Sequence, residues 1–233
     1  MLKNTFNECI VFTGPTRATS RSMANDSSVQ WRGPIRRGDL AELVSTYAPT
    51  NVAIVDGIFH SYPAVGHSEI NEALQKGWRI WGLSSMGAIR AAEMAEFGMR
   101  GYGKVYKMFV DDEDFSDDEV TLIHNSDAPY EALSEPLVHF RVFLSSLVEQ
   151  GIANFQEHDV ILQSLKSRWY GYRTIELVER LLERHLANSA DALRQMVNFD
   201  HFRFKAHDLM QFISEKPWME KDESNNFERQ IAI

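Results

Sequence analysis

Two adjacent hydroxyls, Ser84 and Ser85, lie between Trp78-Arg79-Ile80-Trp81-Gly82-Leu83 and Met86-Gly87-Ala88-Ile89-Arg90-Ala91-Ala92-Glu93. The first run is short and apolar, which suits a buried strand. The second continues through Met94 and Ala95, stops at Gly98, and has the composition of a helix. A hydroxyl on a strand-to-helix turn faces out from the carboxyl end of a sheet, and the free N–H groups and dipole of the helix behind it can hold a developing oxyanion. This is the logic of a nucleophile elbow, although Gly82-Leu83-Ser84-Ser85-Met86-Gly87 is one residue off the G-x-S-x-G spacing. The same residues also suit a plain helix start, because Ser is a preferred N-cap and glycine permits close packing. Acid–base chemistry around a serine needs an imidazole, an amine or a carboxylate. His67, His124, Asp56 and Glu69 fall at or just after predicted strand and helix boundaries.

The elements that must position these groups follow from the hydrophobic pattern. Glu8-Cys9-Ile10-Val11-Phe12 reads as a buried strand followed by a Gly14-Pro15-Thr16 turn, and Val52-Ala53-Ile54-Val55 as another, closed by Asp56-Gly57. Residues 17–30 are rich in Ser, Arg and Asn without hydrophobic period and read as a mobile loop. A helix starting near Asp39 and one running from His67 to about Gly77 separate the strands. Successive strand-to-helix steps imply right-handed crossovers and a parallel sheet. Phe97-Gly98-Met99-Arg100-Gly101-Tyr102-Gly103 reads as a close-packed connection before a further strand, and the acidic run from Asp111 to Glu119 as a solvated loop. Arg90 and Glu93, three apart on one helix face, either pair with each other or line a surface. From Ser134, a candidate cap, the pattern turns helical to residue 213. The expected architecture is an α/β core with a parallel sheet and flanking helices over residues 1–130. An α-helical region packs on it over 131–233, with a frayed tail from about 220.

Composition narrows the function classes. A formal net charge of −9 argues against broad nucleic-acid or acidic-membrane binding, since phosphate contacts need clustered Lys and Arg. A single cysteine, Cys9, excludes an internal disulfide and a thiolate zinc site, and its strand position reads as a buried small hydrophobe. The first eight residues lack the apolar core of a signal peptide and no run approaches bilayer-spanning length, so a cytoplasmic location is expected. No metal site is expected, because the acidic run lacks calcium-loop spacing and its central glycine.

Residues 82–99, G-L-S-S-M-G-A-I-R-A-A-E-M-A-E-F-G-M, closely resemble the signature of the TfuA-like core domain, and Ser85-Met86-Gly87-Ala88 also looks like the nucleophile segment of Clp-type serine proteases. Similar segments are Gly14-Pro15-Thr16, Gly38-Asp39-Leu40, Pro63-Ala64-Val65 with His67 and Glu69, Asp117-Asp118-Glu119-Val120, His124 and Arg141. The resemblance covers roughly residues 9–144 and leaves the C-terminal third unmatched. Gly66 replaces an aromatic residue of the family pattern and Ser68 replaces a lysine. The resemblance implies a partner of a YcaO-type enzyme in peptide backbone thioamidation. Such a partner hydrolyses a thiocarboxylated, ThiS-like sulfur-carrier protein to release sulfide, while the peptide substrate is handled by YcaO. It also implies a hydrolase-like Ser–Lys pair and no cofactor of the protein's own. Ser85 matches the nucleophile. With Ser68 at the lysine position, Lys104, Lys107 or Lys76 are substitute bases, and His67 or His124 alternative ones. Asp56, Glu69, Arg90, Glu93, Asp118 and Glu119 are assigned to substrate or partner binding. The alternative reading is a non-catalytic adaptor that docks on YcaO and recruits peptide or sulfur carrier.

Overall fold

A computed structural model describes residues 8–20, 26–58 and 62–220. Its centre is a five-stranded sheet with strands β1 (Cys9–Phe12), β2 (Val29–Arg32), β3 (Asn51–Ile54), β4 (Arg79–Leu83) and β5 (Arg100–Tyr102), in the spatial order β2-β1-β3-β4-β5. Every neighbouring pair is parallel; Cys9 stands opposite Asn51, and Asn51 opposite Arg79. The connections carry helices α1 (Pro15–Thr19), α2 (Asp39–Thr46), α3 (His67–Gln75) and α4 (Met86–Glu93), and α5 (Gly103–Asp111) follows β5. After β1 the chain steps to one side for β2 and returns to the other for β3. The crevice outside the carboxyl ends of β1 and β3 is therefore the topological switch point, where doubly wound sheets bind ligands.

A parallel sheet needs cover on both faces, and alternation along the strands supplies two cores. Ile10, Phe12, Val52, Ile54 and Ile80 face Leu40, Leu43, Ile70, Ala73 and Ala91 of α2, α3 and α4. Cys9, Val11, Ala53, Val55, Trp81 and Leu83 face the opposite way. Burial pushes the Cys9 thiol well above its ordinary pKa, as expected of a cysteine serving as a small hydrophobe. The second face is covered from far along the chain. Helices α6 (Leu137–Glu149), α7 (Phe155–Lys166), α8 (Ile175–His185) and α9 (Ser189–Met196) share a core built around Phe140, Phe143, Leu165, Leu182 and Phe199. Helix α10 (Phe204–Glu215) then lays Leu209, Phe212 and Ile213 onto the sheet, with Trp218 beside them. Among the described residues no helix is long and apolar enough to cross a membrane.

Four local expectations change. The stretch read as a mobile loop contains the end of α1 and the start of β2. β2 is an edge strand with only Val29 buried, so it lacks the apolar run that marks a central strand. The glycine-rich segment is itself β5, and a helix, not a strand, follows it. The Asp208 carboxylate accepts the Lys104 and Val105 N–H groups at 2.8 and 2.9 Å and starts α5. Ser134 does not cap α6: its hydroxyl accepts the Ile123 N–H at 2.9 Å, and Pro136 precedes the helix. The end of the acidic run is not a solvated loop, because Glu119 is buried against Arg141. The predicted frayed tail falls at residues 221–233, outside the described residues.

Candidate functional site

The β4–α4 turn is forced by close backbone contact. Gly87 lies against β3, where an added Cβ would fall 1.7 Å from the Ile54 carbonyl oxygen, so only glycine brings the start of α4 this close to the sheet. Its N–H donates to Val55 O at 3.2 Å. The chain reverses through Ser84, whose φ of +64° is left-handed, a conformation that costs a non-glycine residue roughly 1–2 kcal/mol. Its hydroxyl offsets part of that cost by donating to Lys205 O at 2.8 Å, tying the turn to the first turn of α10. Ser84 is thus fully buried and committed. Ser85 occupies the N-cap position of α4, but its side chain makes no capping hydrogen bond. The two serines therefore have different roles. The first closes the turn; the second lines a cavity. Behind Ser85, the Gly87 and Ala88 N–H groups are taken by Val55 O and Ser85 O, which leaves the Met86 N–H without an acceptor among the described residues. An N–H directly after a nucleophilic serine is a usual oxyanion donor.

The cavity has a volume of about 170 Å³ and is lined by Ser85, Asp56, Lys205, His124, Tyr130 and Tyr170, among others. Asp56 follows β3 and is 2 % exposed. Its Oδ2 accepts Thr13 Oγ1, Gly14 N and Thr16 N at 3.2, 2.8 and 3.0 Å, and its Oδ1 accepts Thr16 Oγ1 at 2.7 Å. One carboxylate thus fixes the whole loop after β1. Lys205 is also 2 % exposed. Its Nζ donates to Val120 O at 3.0 Å and lies 4.0 Å from Asp56 Oδ1. Burial holds the Lys205 amine below the ordinary lysine pKa, with Asp56 and Glu135 opposing that shift. His124 Nδ1 donates to Asn125 O at 2.7 Å, the tautomer that leaves Nε2 as the acceptor whenever the ring is neutral. A hydroxyl, a desolvated amine, an imidazole and an unused backbone N–H at one edge of a sheet are the parts required for attack on an acyl carbon.

The other predicted residues are elsewhere. Lys104 and Lys107 are exposed on α5, where the Lys104 amine stacks 4.4 Å over the Phe204 ring, and Lys76 pairs with Glu72 at 2.6 Å. None of the three lines the Ser85 cavity. His67 Nε2 and Arg90 Nη1 both meet Glu93 Oε2, at 2.7 and 2.5 Å, on a surface between α3 and α4. Glu69 accepts Gly38 N at 2.6 Å and Gly66 N at 3.2 Å, so it joins the starts of α2 and α3. Glu119 accepts Arg141 Nε at 3.2 Å, and Asp118 Oδ2 accepts Arg173 Nη2 at 2.7 Å. Arg173 is fully buried and also donates to Leu165 O, Asp118 O and Arg168 O. The Asp118 and Glu119 carboxylates are therefore occupied within the fold. The segment's Val120 carbonyl reaches the cavity through Lys205.

Lys205 escaped the sequence reading. A signal existed: positions 205, 209, 212 and 213 form one stripe of α10, and the last three are the apolar residues packed on the sheet. A lysine on an apolar stripe has no route to water. Ser68, at the position where the family pattern has lysine, is exposed on α3 and does not line the Ser85 cavity.

A family model described as TfuA-like protein matches residues 56–174. The match begins at Asp56, includes Ser85 and His124, and ends before Lys205. This span starts later and ends later than the stretch of motifs read from the sequence. Among curated proteins, none matches the chain.

Proposed function

The chain belongs to the TfuA-like family, and from that premise we propose that it hydrolyses a thiocarboxylated sulfur-carrier protein and supplies sulfide to a YcaO-type enzyme for backbone thioamidation. The observation that carries this reading is the shared cavity of Ser85 and Lys205, a hydroxyl with no capping bond beside an amine whose pKa burial lowers. In this reading neutral Lys205 takes the Ser85 proton as Oγ attacks the thioacid carbon. The Met86 N–H holds the oxyanion of the tetrahedral intermediate, and the C–S bond breaks to release hydrosulfide, to whose sulfur Lys205 returns the proton. A water then attacks the Ser85 ester, giving the carrier carboxylate and restoring the hydroxyl. Ser85 and Lys205 are not hydrogen-bonded to each other here, in keeping with the looser contacts of sites that tighten around substrate.

Sulfide release from a thiocarboxylated carrier tests the reading. Wild type is expected to release sulfide well above the uncatalysed rate. Ser85→Ala is expected to lose at least about a thousandfold of that rate, at nearly unchanged stability, since its side chain caps nothing. Full release by a folded Ser85→Ala protein removes the nucleophile. A wild type that releases nothing yet binds YcaO leaves the adaptor role, for which no feature of the cavity speaks.

A further inference from the structure

At about 170 Å³, the Ser85 cavity is well below the roughly 300–1,000 Å³ that encloses a small organic ligand. It has room for the end of a substrate and leaves the rest outside. Toward β1 and β2, Tyr130 is a wall shared with a second groove of about 460 Å³, lined by Thr13, Gly14, Arg17, Trp31, Arg32 and Pro129. The Arg17 guanidinium lies 4.0 Å from the Trp31 ring centroid and that of Arg32 lies 5.9 Å from the Phe12 centroid. Ring stacking of this kind holds a planar cation in position. A third guanidinium, Arg36, stacks 4.3 Å over Tyr62 at the mouth of the Ser85 cavity. On a chain of formal net charge −9, Arg17 and Arg32 in the groove and Arg36 at the adjoining cavity gather positive charge that suits an anionic partner. Arg and Tyr are also the residue types enriched at the centres of protein interfaces.

We propose that the Arg17–Arg32 groove, adjoining the Ser85 cavity across Tyr130, is the docking track for an acidic, extended peptide segment of the protein whose terminal group is delivered to Ser85. The nature of that terminal group rests on the hydrolase reading above; the preference of the groove for acidic peptide does not. Acidic side chains upstream of the terminus meet Arg17 and Arg32, the chain passes Tyr130, and its end enters the cavity. Aromatic and guanidinium surfaces suit an extended backbone because they offer planar contact and donors without requiring one sequence.

The test is fluorescence anisotropy on the full chain carrying Ser85→Ala, so that binding is read without turnover. The probes are a labelled dodecapeptide with four Glu upstream of a free C-terminal carboxylate, the same peptide with Lys at those four positions, and ADP as competitor. The acidic peptide is expected to bind at least about tenfold tighter than the basic one at low salt, with the gap narrowing as salt rises. The double variant Arg17→Gln/Arg32→Gln is expected to lose that preference, and Arg17→Glu/Arg32→Glu to invert it, a gain that misfolding does not mimic. Equal binding of the two peptides, or an unchanged preference in the double variants, overturns the proposal. So does an ADP site that displaces the acidic peptide and vanishes with Arg17 and Arg32, which makes the groove a nucleotide site. Sulfide release by wild type is measured separately, so failure of hydrolysis and failure of docking give different results.

Discussion

The Ser85 cavity and the surface shared by His67, Arg90 and Glu93 are built from similar residue types, and both were candidates for chemistry. They differ in water. Lys205 and Asp56 are each 2 % exposed, whereas the His67 and Glu93 side chains are 55 % and 42 % exposed. In the cavity, removal of solvent lowers the amine's pKa, the direction that favours its proton-accepting form. On the surface, the same kinds of charge pair neutralise each other in high dielectric, where such pairs contribute between nothing and about 1 kcal/mol. In the proposed reaction, burial sets the roles of these groups more than residue type does.

Lys205→Met is the substitution expected to break this comparison most severely. It leaves the backbone carbonyl that receives Ser84 in place and removes only the amine. Loss of a general base costs about 10²–10⁴-fold in rate, and Lys205→Arg should not restore it, because a guanidinium stays protonated. In wild type the sulfide-release rate should rise with pH through the depressed Lys205 pKa, at lower pH than an ordinary lysine near 10.4. An unchanged rate and pH profile in Lys205→Met would remove burial as the source of reactivity.

A milder effect is expected at Asp208, whose carboxyl burial pushes up to about 6 despite the two N–H groups it accepts from α5. A folded pKa above the unfolded value means the native state binds the extra proton between about 4 and 6. This stabilisation is full below that window and is lost as pH rises through it. Two pKa units correspond to an upper limit of about 3 kcal/mol. Denaturant unfolding of Asp208→Asn should show a flatter stability profile between pH 4 and 6 than wild type. The same slope in both proteins would assign the dependence to another group.

The smallest effect is expected on the exposed surface. His67→Ala and Glu93→Gln should each change stability by less than about 1 kcal/mol and leave sulfide release unchanged. A large loss of release in either variant would show that the exposed triad reaches the chemistry, and would collapse the distinction between the two regions.

Much of the site's first half was legible along the chain. Trp78 to Glu93 encodes a buried strand, a tight turn and a helix within sixteen consecutive positions. Short apolar runs separated by helices gave the parallel sheet. Ser85 and Asp56 then had to reach one edge, because strands of such a sheet point the same way. These are local facts: alternation, turn residues and helix formers act over a few neighbours.

What only the tertiary structure decided lies where distant segments meet. The amine in the cavity comes from α10, and the Ser84 hydroxyl donates to the Lys205 backbone carbonyl across 121 positions of chain. Asp118 and Glu119 looked like solvated carboxylates until Arg173, from the connection before α8, and Arg141, from α6, occupied them. Edge strand β2, half buried, carried too little apolar pattern to be seen. A lysine's pKa, a carboxylate's partner and the sign of a local field depend on how much water the rest of the chain removes. That quantity is a property of packing, so the sequence could name Ser85 but only the fold could bring Lys205 to the same cavity.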